Sequence, residues 1–302
     1  MIGNGRRRPS RWSIAWAAAV LAVGLSFTGD FVPPLRAAGV GLAPGLRIEV
    51  VAMGIPRPAQ LAFSAAGSLI VLSHGWRGDS AAEIFWLDPA SPQPVDGSLA
   101  PRVVVPFAEG PRKAVLGSLA VDARTGGLFL GEENGNRIYR LTSDQRLTPV
   151  AVGLNHLLGG SSLTADQHGR LMVLDYASFE SQLRSESPPP SSLESLAAGE
   201  FVVLSSIGEM VILSAEGKLR SLARLPSGHF HRTSMAVAPD GSVLVSAGFH
   251  IREVYRVSSA GVVTSLAHDL GDPQGVAVDR SGAIYIAETA LHRIVRIVAT
   301  GR

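Results

Sequence analysis

The chain has 302 residues, of which 46% are hydrophobic and 17% charged. That is enough apolar material to bury one large core or two small ones, and it excludes a disordered chain. Thirty-three glycines and 19 prolines, against 6% aromatics, point to short strands and tight turns rather than long helices. With no cysteine, disulfides, zinc–thiolate sites and a cysteine nucleophile are all excluded.

Residues 1–38 open with the basic stretch MIGNGRRRPSRW, continue through the apolar run SIAWAAAVLAVGLSF of about 15 residues, and end in FVPPLRAAG. The run is short for a bilayer span and long enough for a signal-peptide core, and Ala37 and Ala38 are small enough for a signal peptidase. The segment reads as an export signal cut near Ala37, which predicts a periplasmic or extracellular protein. The alternative is an uncleaved N-terminal anchor, which would then be the chain's link to a membrane. Arg6, Arg7 and Arg8 hint at a twin-arginine signal. Residues 1–37 hold five arginines and one acid, so the rest of the chain carries 22 basic and 24 acidic residues, a net charge of about −2. No basic stripe remains to neutralise phosphates, so no nucleic-acid partner is expected.

Residues 39–302 read as a single all-β domain. After an orphan strand, LRIEVVAMG at Leu46 to Gly54, five segments align without gaps at their first strand: AQLAFSAAGSLIVLSH from Ala59, GSLAVDARTGGLFLGEE from Gly117, SSLTADQHGRLMVLDY from Ser161, TSMAVAPDGSVLVSAG from Thr233 and QGVAVDRSGAIYIAET from Gln274. Each is a short apolar strand, a polar turn closing on glycine, and a second strand. Third strands follow at EIFWLD, NRIYRLT, REVYRVS and HRIVRIV, and fourth strands at PRVVVPF, LTPVAV, LRSLARL and VVTSLAH.

Four-stranded units that cannot bury their faces alone stack radially, which predicts a β-propeller. The last unit stops after its third strand at Ile297, so the orphan strand is expected to complete it and close the ring. Five repeats are visible. The stretch SFESQLRSESPPPSSLESLAAG reads as an inserted Ser/Pro-rich loop at about 177–199, while FVVLSSIGEMVILSAEG beyond it has strand material for part of a sixth blade.

DPQGVAVDRSGAIYIAETALHRIVRI resembles the NHL repeat, with Glu288 in place of its Asp and Leu291 in place of its Asn, and GLFLGEENGNRIYRL matches the second half of that pattern. The resemblance implies a propeller, usually six-bladed, in the broad superfamily that includes gluconolactonase-like and strictosidine-synthase-like proteins. It leaves the activity open. One expectation is a ligand-binding or protein-interaction scaffold that takes a small molecule or a protein at the channel rim. The other is an enzyme acting on a small lactone or sugar.

Ligands of propellers usually sit at the channel mouth, so the aligned columns there supply the candidates. Immediately before the inner apolar pair stand Gln60, Ser118, Ser162, Ser234 and Gly275, with Gln274 beside the last. They read as a small polar ring facing channel water, or as small residues that let inner strands approach at the axis. Three positions earlier stand Arg57, Val115, Gly159, His231 and Asp272. Arg57, His231, Arg232 and Asp272 would place an acid, a base and cations over one mouth. His229 and His231 form an H-x-H that would share a strand face, as a metal site needs; a solvated loop pair is the alternative.

The second-strand column holds Ser73, Glu132, Asp175, Ala247 and Glu288. Glu132 and Glu288 precede Arg137 and Arg293 at a fixed offset, which favours a structural acid–arginine pairing. Asp175 lacks that arginine and is the functional candidate of the column. Likeness to calcium-dependent lactonases would imply calcium held partly by asparagines before inner strands. Here those stretches lack asparagine, leaving Asn155 with His156 as a displaced substitute. Likeness to quinone-dependent sugar dehydrogenases would imply a rim base with arginines, types that His231 and Arg232 supply.

Overall fold

The computed structural model describes residues 39–300 apart from 76–80, 106–114, 123, 134, 143–145, 155–161, 167, 175–189, 197–198, 227–229 and 231–232. The unit spanning 34–302 holds every described strand. Among the described residues no helix is long and apolar enough to cross a membrane.

The chain enters through β1 (Gly41–Leu42) and β2 (Leu46–Met53). The first blade is β3 (Pro58–Phe63), β4 (Leu69–Ser73), β5 (Glu83–Leu87) and β7 (Arg102–Val104), with β6 (Val95–Asp96) leaving it to pair with β2. The second is β8 (Leu116–Val121), β9 (Leu128–Glu132), β10 (Arg137–Leu141) and β11 (Leu147–Ala151). A two-stranded sheet follows, β12 (Leu163–Ala165) with β13 (Leu171–Val173). Next come β14 (Pro190–Ser195), β15 (Phe201–Ser205), β16 (Glu209–Leu213) and β17 (Leu219–Arg224). The blade after it is β18 (Ser234–Val237), β19 (Val243–Ser246), β20 (Val254–Val257) and β21 (Val263–His268), edged by β1. The last is β22 (Pro273–Val278), β23 (Ile284–Glu288) and β24 (Arg293–Ala299), completed by β2.

Five sheets are therefore complete four-stranded blades, and the innermost strands β3, β8, β12, β14, β18 and β22 pack side by side in that order, with β22 against β3. The orphan strand does what its position predicts: β2 runs antiparallel to β24 from Leu46 opposite Ala299 to Met53 opposite Arg293. A chain whose two ends share one sheet cannot open there without breaking that ladder.

Burial grades outward from the axis. Second strands such as LIVLS and IYIAE are buried on both faces because a neighbouring blade covers each. Outer strands such as β11 and β17 are largely exposed. The turn glycines Gly67, Gly126, Gly169, Gly241 and Gly282 have φ between 70 and 89°, the left-handed region that L side chains avoid.

The Ser/Pro-rich stretch at about 177–199 needs correction as an inserted loop. Residues 175–189 lie outside the description, but its later part is β14, the inner strand of a full blade, so LRSLARL is that blade's outer strand. Polar composition hid it. Proline is tolerated at the first position of a strand, and the hydroxyls of the two buried serines are satisfied: Ser191 Oγ donates to Leu204 O at 3.2 Å and Ser192 Oγ to Thr233 O at 3.0 Å.

Candidate functional site: the central channel and its rim

The inner strands enclose a channel of about 250 Å³, to which all six of them contribute. One ring of this channel is formed by the residues two places after the serine column. Five of the six strands put Ala62, Ala120, Thr164, Ala236 and Ala277 there, and β14 puts Glu194. Small side chains are what crowded inner strands allow, so a glutamate at this position is an exception that close packing does not ask for.

Glu194 is held on one oxygen. Its Oε1 accepts from Thr164 Oγ1 on the neighbouring sheet at 2.7 Å and from the backbone N–H of Ser195 at 2.9 Å. Among the described residues its Oε2 has no partner, and no basic side chain lines the channel. The side chain is half-buried and lines the cavity that the inner strands enclose. Burial outweighs the two hydrogen bonds and pushes the carboxyl up from 4.5 to about 7.

The serine column serves the ring rather than water. Ser118 and Ser162 are fully buried and their hydroxyls meet at 2.6 Å, joining β8 to the segment before β12. Ser192 Oγ meets Thr233 Oγ1 at 2.7 Å across the seam between β14 and β18. Ser234 N donates to Ser246 Oγ at 2.9 Å, and that hydroxyl also reaches Gln274 O on β22. Gln60 and Ser234 are buried yet contribute to the channel wall. Gly275 sits where a Cβ would meet Ala59 O at 2.8 Å and Leu61 N at 3.0 Å, so the reading of this column as a place of close approach holds there.

At the rim, Arg57 and Asp272 do come to one seam, between β22 and β3. Thr289 links them: its N–H donates to Asp272 O at 3.0 Å and its Oγ1 to Pro58 O at 2.6 Å. Arg57 N donates to His292 Nδ1 at 3.0 Å, and Gln274 Nε2 to Asp272 Oδ2 at 3.0 Å. Arg57, Asp272 and His292 all have left-handed backbone, with φ of 37, 58 and 53°. Strained conformations at non-glycine residues persist where surrounding bonds over-determine them. Asp175, His231, Arg232, Asn155 and His156, and His229 of the H-x-H, lie outside the described residues.

The acid–arginine pairing is present in the last blade, where Arg293 Nε binds the fully buried Glu288, whose other oxygen accepts from Gly271 N at 2.8 Å. In the second blade Glu132 accepts from Tyr139 OH at 3.0 Å, and Tyr139 and Glu132 together raise the Arg137 guanidinium. These acids fasten blade ends and do not reach the channel. Sequence reasoning missed Glu194, because β14 was hidden. The signal was legible all the same: Ala65-Ala66-Gly67 after the first inner strand recurs as Ala197-Ala198-Gly199 after β14, and Ser64 N to Ser68 O at 2.9 Å is matched by Leu196 N to Glu200 O at 2.8 Å.

No family model and no curated protein matches the sequence. Solved structures do match the fold. A gluconolactonase from Xanthomonas campestris superposes with a TM-score of 0.63 at 12% identity, covering 90% of this chain and 99% of its own. The fold is the β-propeller these proteins share. A putative glucose dehydrogenase from Thermus thermophilus follows at 0.58 and 16%, covering 84% of this chain and 100% of its own. Virginiamycin B lyase from Staphylococcus aureus gives 0.55 and 10%, again covering 84% and 100%. At such identities the likeness establishes architecture, not chemistry.

Calcium, which a lactonase would bring, takes six to eight oxygen ligands. Among the described lining residues Glu194 is the one carboxylate, and no group of three acidic or histidine side chains converges among the described residues. The described donor set does not fit that ion, so no step is drawn through it.

Proposed function

We propose that this chain is an exported propeller that binds a small polar ligand in its central channel, with Glu194 as the anchor and Thr164 as its orienting partner. The observation that carries the reading is the position of Glu194 itself: an acid on the cavity wall where four of the other five strands place alanine, with one oxygen fixed and the other without a described partner. The channel is smaller than the roughly 300–1,000 Å³ pockets of drug-sized ligands, so the occupant is small. Below about pH 7 the anchor is a neutral acid that can donate to a hydroxyl or carbonyl, and above it an anion that favours an amine. Export rests on the leader at residues 1–38.

A second reading, turnover of a small lactone or sugar, draws on the printed activities of the structural neighbours. It would use Glu194 as a proton donor with Asp175, His231, Arg232 or Asp272 at the rim. One experiment separates the two. Glucose, glucono-1,5-lactone and ethanolamine are each titrated into wild type and Glu194→Gln by calorimetry, and lactone hydrolysis is followed in parallel by alkali uptake. Binding that is lost in Glu194→Gln without turnover supports the scaffold, and hydrolysis lost in the same variant supports the enzyme. Binding that ignores the substitution would remove Glu194 from either role.

A further inference from the structure

The third strand of each four-stranded blade carries one register position that pairs with the second residue of the second strand: Trp86 opposite Ile70, Arg140 opposite Phe129, Ile212 opposite Val202, Arg256 opposite Leu244 and Arg296 opposite Tyr285. Two of these arginines are neutralised. Arg256 binds Asp240 and donates from Nε to Ser242 Oγ at 2.9 Å. Arg296 donates to Glu49 Oε2 at 2.6 Å from Nη2, and to Pro89 O at 3.0 Å from Nη1.

Arg140 has lost each of these partners. Thr125 stands where the turn of the other blade has Asp240, Gly127 where it has Ser242, and Thr148 opposite Arg140 where Glu49 lies opposite Arg296. Among the described residues its guanidinium makes no hydrogen bond or ion pair. A Cβ on Gly127 would lie 3.2 Å from Arg140 Nε and Nη2, so the guanidinium rests on bare backbone and its remaining edge is open.

That edge faces a cleft of about 710 Å³ between the first two blades, lined by Trp86, Arg102, Arg140, Thr125 and Thr142 among others. Arg102 is only partly engaged: its Nη1 donates to Ser98 O at 3.0 Å, while its Nε is 3.5 Å from Glu83. No described carboxylate lines the cleft. Two cations, a half-buried indole and a volume in the range of organic ligands therefore coincide where the repeat elsewhere places a carboxylate.

We propose that this lateral cleft is a second binding site, separate from the channel, for a small organic carboxylate carried on a flat ring. The carboxylate takes the place of the missing Asp240 or Glu49 equivalent on Arg140, and the ring lies against Trp86. An exposed guanidinium yields modest affinity, so a dissociation constant of about 1 mM is expected for a minimal probe.

The test uses the full chain, with benzoate as probe and benzamide as its neutral isostere, followed by saturation-transfer NMR. Benzoate should bind about tenfold more tightly than benzamide. Arg140→Gln should abolish the preference, and so should Thr125→Asp, which rebuilds the neutralised pair of the other blade and leaves the fold intact. Glu194→Gln should leave benzoate binding unchanged, which keeps this site distinct from the channel. Equal binding of the two probes, benzoate binding that survives Thr125→Asp, or no benzoate binding at about ten times the expected constant would each overturn the proposal.

Discussion

Two seams of the ring are built very differently. Between the last blade and the first, a wide apolar layer joins Ala277, Tyr285 and Ile294 to Leu61, Leu69, Val71 and Phe85, and a second layer of similar extent covers the last blade's other face. At the two-stranded sheet, the buried layer against the second blade among the described residues is Ala120, Ile138 and Leu163, and β13 is only half-buried along its length. The strongly packed seam is the one that closes the chain on itself. The thin one carries Thr164, half of the polar pair in the channel. A polar anchor beside sparse packing suits a site that must exchange a ligand, whereas the closing seam has only to stay shut.

Breaking the closing seam should cost most. Tyr285 is buried, meets the Phe63 ring edge-on at 5.1 Å and hydrogen-bonds Asp279 at 3.2 Å. Tyr285→Ala should lose about 3–5 kcal/mol in urea unfolding. Gly275→Val sets side-chain atoms against the backbone of β3 and should cost about 3 kcal/mol. Leu163→Ala, at the thin seam, should cost about 2 kcal/mol, because few described neighbours lose contacts. Hydrogen exchange sharpens the same contrast without mutation: amides of β12 and β13 should exchange well before those of β23 and β24. Equal protection would contradict the difference between the seams.

Much of this contrast was legible in the sequence, and for physical reasons. Inner and second strands announce themselves by apolar alternation between glycine turns, and the closing strand by a last unit that stops at Ile297. The strand that matters most for the site did not, because Ser191 and Ser192 satisfy their hydroxyls through partners remote in sequence, which composition cannot show. The columns put Arg57 and Asp272 over one channel mouth; that they share the seam between β22 and β3 depends on which blades abut, which the columns do not give. That the serine column would join blades rather than line water depended on side-chain direction, which period-two reasoning leaves open between neighbouring blades.

The most specific expected effect is a dependence on pH. The folded chain keeps the Glu194 proton up to about pH 7, while an unfolded chain releases it near 4.5. Wild type should therefore lose stability as pH rises through that window, and the loss should be complete above it. Glu194→Gln, which cannot ionise, should match wild type near pH 4 and exceed it near pH 8 by about 1–3 kcal/mol. A constant difference between the two proteins across that range would place the carboxyl in ordinary solvent.

The most direct measurement is a carbon-13 NMR titration of the Glu194 carboxyl in protein labelled at glutamate, assigned by its absence from Glu194→Gln. A midpoint near 7 is the result expected of an acid enclosed by the channel. A midpoint near 4.5, the value of a solvated glutamate, would contradict a channel built around this side chain.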